Sequence, residues 1–151
     1  MSSIRNILVP VDFSEHSEKA LEFAIGLAKG LGARLELLHC YPINPGGISP
    51  YGIVLPENLD REMRDAASAK MSEWREKAVS AGLDVDLTLT PAFPSEAISA
   101  TAEEHGADLI VMGTRGLTGL GHILLGSVAE RTLRIAPCPV VTVKKEEANH
   151  E

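Results

Sequence analysis

Strand-like and helix-like patterns alternate along the whole chain, and that alternation narrows the possible folds more than any other feature. Apolar or alternating runs occur at "IRNILVPVD", "RLELLHCY", "DVDLTLT", "ADLIVMG" and "CPVVTVKK", separated by segments with helical spacing. The run "ADLIVMG" is apolar without interruption, as in a parallel strand buried on both faces. "DVDLTLT" alternates polar and apolar residues, which points to one solvated face or a sheet edge. Five strands alternating with four helices imply an α/β, doubly wound parallel sheet with helices on both faces and right-handed crossovers.

Between the strands, "SEHSEKALEFAIGLAKGLG" places Ala20, Leu21, Ala24, Ile25, Leu27, Ala28 and Leu31 at helical spacing. Ser14 is the expected N-cap, acids fill the first turn, and Gly30 and Gly32 close the helix. Leu59, Met63, Ala67, Met71, Trp74, Ala78 and Ala81 mark one face of a long helix ended by Gly82. "PSEAISATAEEHG" and "SVAERTLRIAP" read as the remaining helices, with Ser127 and Glu130 at capping-box spacing. The Pro/Gly-rich stretch over 42–58 exceeds an ordinary connector and reads equally as a surface loop or as a lid over a ligand.

Composition excludes several classes. A chain of 151 residues that is 44% hydrophobic and 23% charged is globular, with residues 1–145 expected as one domain and 146–151 as a tail. No run approaches the roughly 20 apolar residues of a membrane helix, and "MSSIRNILVPVDFSE" is neither signal peptide nor anchor, so a cytoplasmic protein without membrane insertion is expected. A net charge of −7 argues against nucleic acid as partner and requires strong local donors for any phosphate ligand. Cys40 and Cys138 read as buried free thiols, and the five histidines form no metal-ligating pair.

In open parallel sheets ligands bind beyond the carboxyl ends of the strands, where the winding direction reverses. Three features fall there: "PVD" after the first strand, "HCY" after the second, and "GTRGLTGLGHILLGS" after the fourth. The last has Gly113-x-x-Gly116, nine residues, then Gly126-Ser127. It lacks the G-K-[ST] ending of a P-loop and the position of a dinucleotide fingerprint. Glycines let backbone N–H groups approach a phosphate, and a helix start adds further donors. Arg115 and His122 could supply local positive charge.

These residues carry a resemblance. "ILVPVDFSEHSEKAL", "LELLHCY", "ADLIVMGTRG" and "LLGSVAERTLRIAPCPVVTVK" together resemble the universal stress protein family over nearly the whole chain, and G-x-x-G-x9-G-[ST] is similar to the signature of its ATP-binding branch. The resemblance implies strand order 3-2-1-4-5, a bound ATP with Mg or Mn held by its phosphates, and a homodimer formed through the last strand at Val140, Val141 and Val143. It implies that Pro10, Val11 and Asp12 wall the adenine pocket, with Asp12 accepting a hydrogen bond from the base. Cys40 would meet the adenine edge through its backbone, Met112 would pack nearby, and Gly113 and Thr114 would approach ribose and phosphate beside Arg115. Gly116, Gly126, Ser127 and Val128 would hold the phosphates, mainly through main-chain N–H groups and the Ser127 hydroxyl. Ala92 departs from the glycine that many members carry before "x-P".

Alternatives remain beside these roles. Asp12 could be only a helix cap, and the Gly113–Gly116 pair only a tight turn. The implied function is a nucleotide-dependent stress-response regulator acting on an unknown protein partner. A slow ATP-hydrolysing enzyme is the alternative, although the loop has no lysine for the phosphates and no acidic metal motif beside it. A phospho-receiver domain is rejected, because "TLTPAF" offers no acceptor aspartate at the end of the third strand.

Overall fold

A computed structural model describes residues 3–41, 58–115 and 125–145. The strands are β1 (Asn6–Pro10), β2 (Arg34–Tyr41), β3 (Val85–Pro91), β4 (Leu109–Gly113) and β5 (Val140–Val143). The helices are α1 (Glu15–Leu31), α2 (Leu59–Val79), α3 (Pro94–Glu104) and α4 (Ser127–Ile135). All four strand pairings are parallel, in the order β3-β2-β1-β4-β5, so β1 is central and the winding reverses between β1 and β4. The expected doubly wound fold is the observed one.

Alternation along the strands divides the core into two layers. Ile7, Val9, Leu35, Leu37, Leu109 and Val111 pack with Ala20, Leu21, Ala24 and Ala28 of α1 and with Met71 and Trp74 of α2. Leu8, Leu38, Ile110 and Met112 face the other way, onto Ile98 and Ala102 of α3 and Ala129 of α4. The alanine stripe of α1 leaves little side-chain bulk between that helix and the sheet. α2 buries Ala67, Met71, Trp74 and Ala78, the centre of its expected face. β3 is an edge strand, and its exposed Asp86 and half-buried Thr88 account for the polar alternation in its sequence.

Local chemistry sets the helix ends, with two differences from expectation. Ser14 caps α1 by accepting from the Ser17 N–H, and Gly32 closes it in the left-handed region at φ 69°, its N–H bonded to the Ala28 carbonyl. Gly30 lies inside the helix rather than at its stop. The expected Ser127–Glu130 capping box does not form. Gly126 takes the extended N-cap position (φ −74°, ψ 164°), which moves Ser127 into the first helical turn, and Glu130 pairs with Arg134 at 2.6 Å instead. A capping box needs its Ser in the extended cap position, and the one-residue shift removes that geometry.

Candidate functional site

Because β1, β2 and β4 are adjacent and parallel, their carboxyl ends lie along one edge of the sheet. That edge carries Pro10, Val11 and Asp12 after β1, Cys40 near the end of β2, and Met112, Gly113, Thr114 and Arg115 at the end of β4. α4 starts at the same edge: the Gly126 N–H donates to the Thr114 carbonyl at 2.6 Å, which brings Ser127 and Val128 beside the end of β4. Gly116 and His122, and residues 42–57 of the expected loop, lie outside the described residues.

The register fixes how Cys40 presents its backbone. Leu38 accepts from the Val11 N–H at 2.8 Å, and Arg34 donates to the Arg5 carbonyl, so even-numbered residues of β2 direct their main-chain groups toward β1. Leu35 donates instead to the Asp84 carbonyl on the β3 side. Cys40 shares the orientation of Leu38 but lies beyond the end of the β1 ladder, so its N–H and C=O face the space past β1. Its thiol is free and half-buried, and burial pushes it up to about 11, far from a reactive thiolate.

Asp12 is tied into the start of α1. Its Oδ1 accepts from the Ser14 N–H at 3.0 Å and from the Ser17 hydroxyl at 2.9 Å, while its own N–H donates to Ser17 Oγ at 3.2 Å. Oδ2 takes no part in this network. Asp12 thus helps to brace a helix start, and a ligand role would fall to its second oxygen. Between Asp12 and the cap sits Phe13 at φ 66°, a left-handed conformation that costs a non-glycine residue about 1–2 kcal/mol. Its ring is 4.5 Å from the His39 ring and 5.4 Å, edge-on, from Trp74.

Gly113 and Gly126 have tight surroundings. A Cβ on Gly113 would meet the His16 backbone carbon at 2.8 Å and its oxygen at 2.9 Å, so α1 approaches the end of β4 only because that residue is glycine. A Cβ on Gly126 would meet the Thr114 oxygen at 3.3 Å and the Arg115 Cα at 3.4 Å. His16 therefore sits where α1, β4 and Arg115 converge. Its Nδ1 is buried with no hydrogen-bond partner among the described residues. Burial lowers its pKa most, and the positive charges of Arg115 and Lys145 lower it further against the opposing Asp12 and Glu15. Lys145 is itself paired with Glu15.

The structure thus brings Pro10, Val11, Asp12, Cys40, Met112, Gly113, Thr114, Arg115, Gly126, Ser127 and Val128 to one edge. It adds Phe13, His16 and His39, to which the sequence pattern assigns no role. For Phe13 the available signal was an aromatic residue directly after Asp12 in a tight strand-to-helix turn; for His39 there was none. Among the described residues no group of three His, Cys, Asp or Glu side chains could hold a metal ion, and no helix is long and apolar enough to cross a membrane.

Comparison with known proteins agrees with this fold. The model of the universal stress protein family matches residues 3–144. Universal stress protein MJ0531 of Methanocaldococcus jannaschii is 36% identical over 144 residues, covering 93% of this chain and 82% of that protein. Among solved structures, hypothetical protein MJ0577 superposes with a TM-score of 0.84 at 29% identity, over 97% of this chain and 100% of that one. A universal stress protein crystallised in complex with cAMP gives a TM-score of 0.71 at 26% identity, over 95% of this chain and 98% of the other.

Proposed function

This chain belongs to the universal stress protein family, and we propose that it is one of the ATP-binding members, a cytoplasmic dimer that acts through its nucleotide state on a protein partner. The observation that carries this reading is the placement of base-side and phosphate-side groups on one sheet edge. Cys40 offers main-chain groups past the end of β1, and α4 starts against Thr114 and Arg115. The first-turn N–H groups of a helix have no partner within the helix, so those of Ser127, Val128 and Ala129 are the natural phosphate donors. Gly126 serves by close approach, since its own N–H is bonded to Thr114. In this reading Arg115 supplies local positive charge for the phosphates in a chain of net charge −7, and Mg or Mn is held by the phosphates of ATP. The complex of a relative with cAMP supports an adenine nucleotide as the ligand class.

Protein purified from its expression host, denatured and examined by mass spectrometry is expected to release ATP or another adenine nucleotide. Absence of any released nucleotide, together with no ATP affinity by calorimetry, would reject the reading.

Self-association is proposed through the β5 edge. Val140, Val141 and Val143 are only half-buried there, and Leu133 and Ile135 of the adjacent α4 are 45% and 38% exposed. An apolar strand edge guarded only by Pro139 and Lys144-Lys145 tends to pair. Light scattering at micromolar concentration is expected to give twice the 16.1 kDa chain mass, and a folded monomer would exclude the dimer.

A further inference from the structure

We infer that His39 and Phe13 are positioning residues for base recognition, holding the end of β1 so that the backbone of Cys40 stays available to the base. The inference rests on the nucleotide reading above. In a parallel ladder the rung after Val11 N–H to Leu38 O would run from the Cys40 N–H to the Val11 carbonyl. The His39 imidazole stands in the place of that rung: its Nδ1 lies 2.8 Å from the Val11 oxygen. A carbonyl only accepts, so Nδ1 carries the hydrogen and donates. Val11 is then satisfied on both sides by β2, through Leu38 and His39, and the ladder stops one rung short of Cys40.

The turn that follows is held by the same residues. Phe13 is the one non-glycine residue among those described with a positive φ, at 66°. Such a conformation persists only when its surroundings over-determine it. Here the ring is packed against His39 on one side and Trp74 of α2 on the other, with Lys70 Nζ 5.4 Å from its centroid. His39 therefore acts twice, as donor to Val11 and as platform for Phe13. Strand alternation puts its ring on the α1/α2 face of the sheet while Cys40 points to the other face. The support for the base pocket thus comes from behind the sheet and needs no contact with the ligand.

The test is ATP and GTP titration of the full chain and three variants, with a thermal melt of each. His39→Ala is expected to lose about tenfold in ATP affinity, the scale of one hydrogen bond, and most of any preference for ATP over GTP. His39→Asn, whose side-chain amide can donate from near the Nδ1 position but which offers no ring to Phe13, is expected to recover part of both. Phe13→Gly accepts the backbone angle without strain but lacks the anchor, and is expected to lose affinity as well. Wild-type affinity and base preference in folded His39→Ala would overturn the positioning role. So would equal losses in His39→Ala and His39→Asn, because packing rather than donation would then be at issue. If the wild-type chain binds neither nucleotide, the nucleotide reading itself fails and this inference fails with it.

Discussion

At the end of β1 the chain enters α1 through a short turn braced by side chains, whereas the described residues at the end of β4 meet the start of α4 through a backbone contact. In the first turn Asp12, Ser14 and Ser17 hydrogen-bond one another, Ser14 caps the helix, and Phe13 is pinned by rings from β2 and α2. At the start of α4, Gly126 has no side chain to offer and joins Thr114 through its amide alone. α2 and α3 also lack a side-chain cap, but α3 begins with Pro94, which has no N–H to satisfy. The difference separates two tasks at one edge. A rigid, satisfied turn suits a base that must be recognised by shape and hydrogen bonds, while uncapped amides suit an anion that needs several donors at once.

Gly126→Val tests this division most severely. Its Cβ would press on the Thr114 oxygen at 3.3 Å and the Arg115 Cα at 3.4 Å, and the γ-methyls would crowd the same narrow gap. α4 would have to move away from the end of β4, displacing the first-turn amides from any phosphate. ATP affinity is expected to fall about a hundredfold or more, the scale of losing one or two charge-assisted hydrogen bonds. Gly119→Ala, at a position the motif leaves unspecified, is the control and is expected to bind nearly as wild type. Equal affinities in calorimetry would make the segment between β4 and α4 a plain connector.

Asp12→Ala probes the braced turn. Loss of a hydrogen bond from the base to a carboxylate is expected to weaken ATP binding about ten- to a hundredfold and to relax base choice. The structure adds a second consequence, because Asp12 Oδ1 holds the Ser14 N–H and the Ser17 hydroxyl. Loss of such a capping contact costs about 1 kcal/mol, so the variant is also expected to melt a few degrees lower. Ser14→Ala, which removes the cap itself, is expected to show the stability loss with ATP affinity largely retained. If the two variants match in both readouts, Asp12 serves the helix alone.

The parts that could be read from the sequence were those governed by local chemistry. β2 was expected over "RLELLHCY" and occupies Arg34–Tyr41, since Gly32 stops the helix before it and Pro42 follows it. Ser14 and Gly32 likewise act through neighbours in sequence. α4 was expected over "SVAERTLRIAP" and does start at Ser127, but its cap is Gly126 rather than Ser127, because both are acceptable caps and the Gly126 contact with Thr114 decides between them from twelve residues away. Gly113 could be read as a point of close approach, but not that His16 of α1 makes one such approach. The His39–Val11 bond joins residues 28 apart and left no periodic or compositional mark. Roles that depend on which elements become neighbours were therefore beyond a reading of local pattern, even where the topology was correct.

The smallest effect concerns Cys40, which lies at the braced side of the edge and, in this reading, contributes only its backbone. Burial raises its thiol to about 11, above the roughly 8.5 of an exposed cysteine. The folded state therefore favours the protonated thiol more than the unfolded chain does. The stability this contributes is fully present below the unfolded pKa and is lost as pH rises toward about 11. Denaturant midpoints are expected to fall between pH 8 and pH 10.5 by slightly more in the wild type than in Cys40→Ser, and alkylation of the native thiol at neutral pH is expected to be slow. ATP affinity should be unchanged by Cys40→Ser, because strand register, not the sulfur, directs the N–H and C=O past the end of β1. A marked loss of ATP binding in that variant would place the thiol itself against the ligand. The base would then be held by side chains, and the contrast between the two helix starts would lose its braced, backbone-reading half.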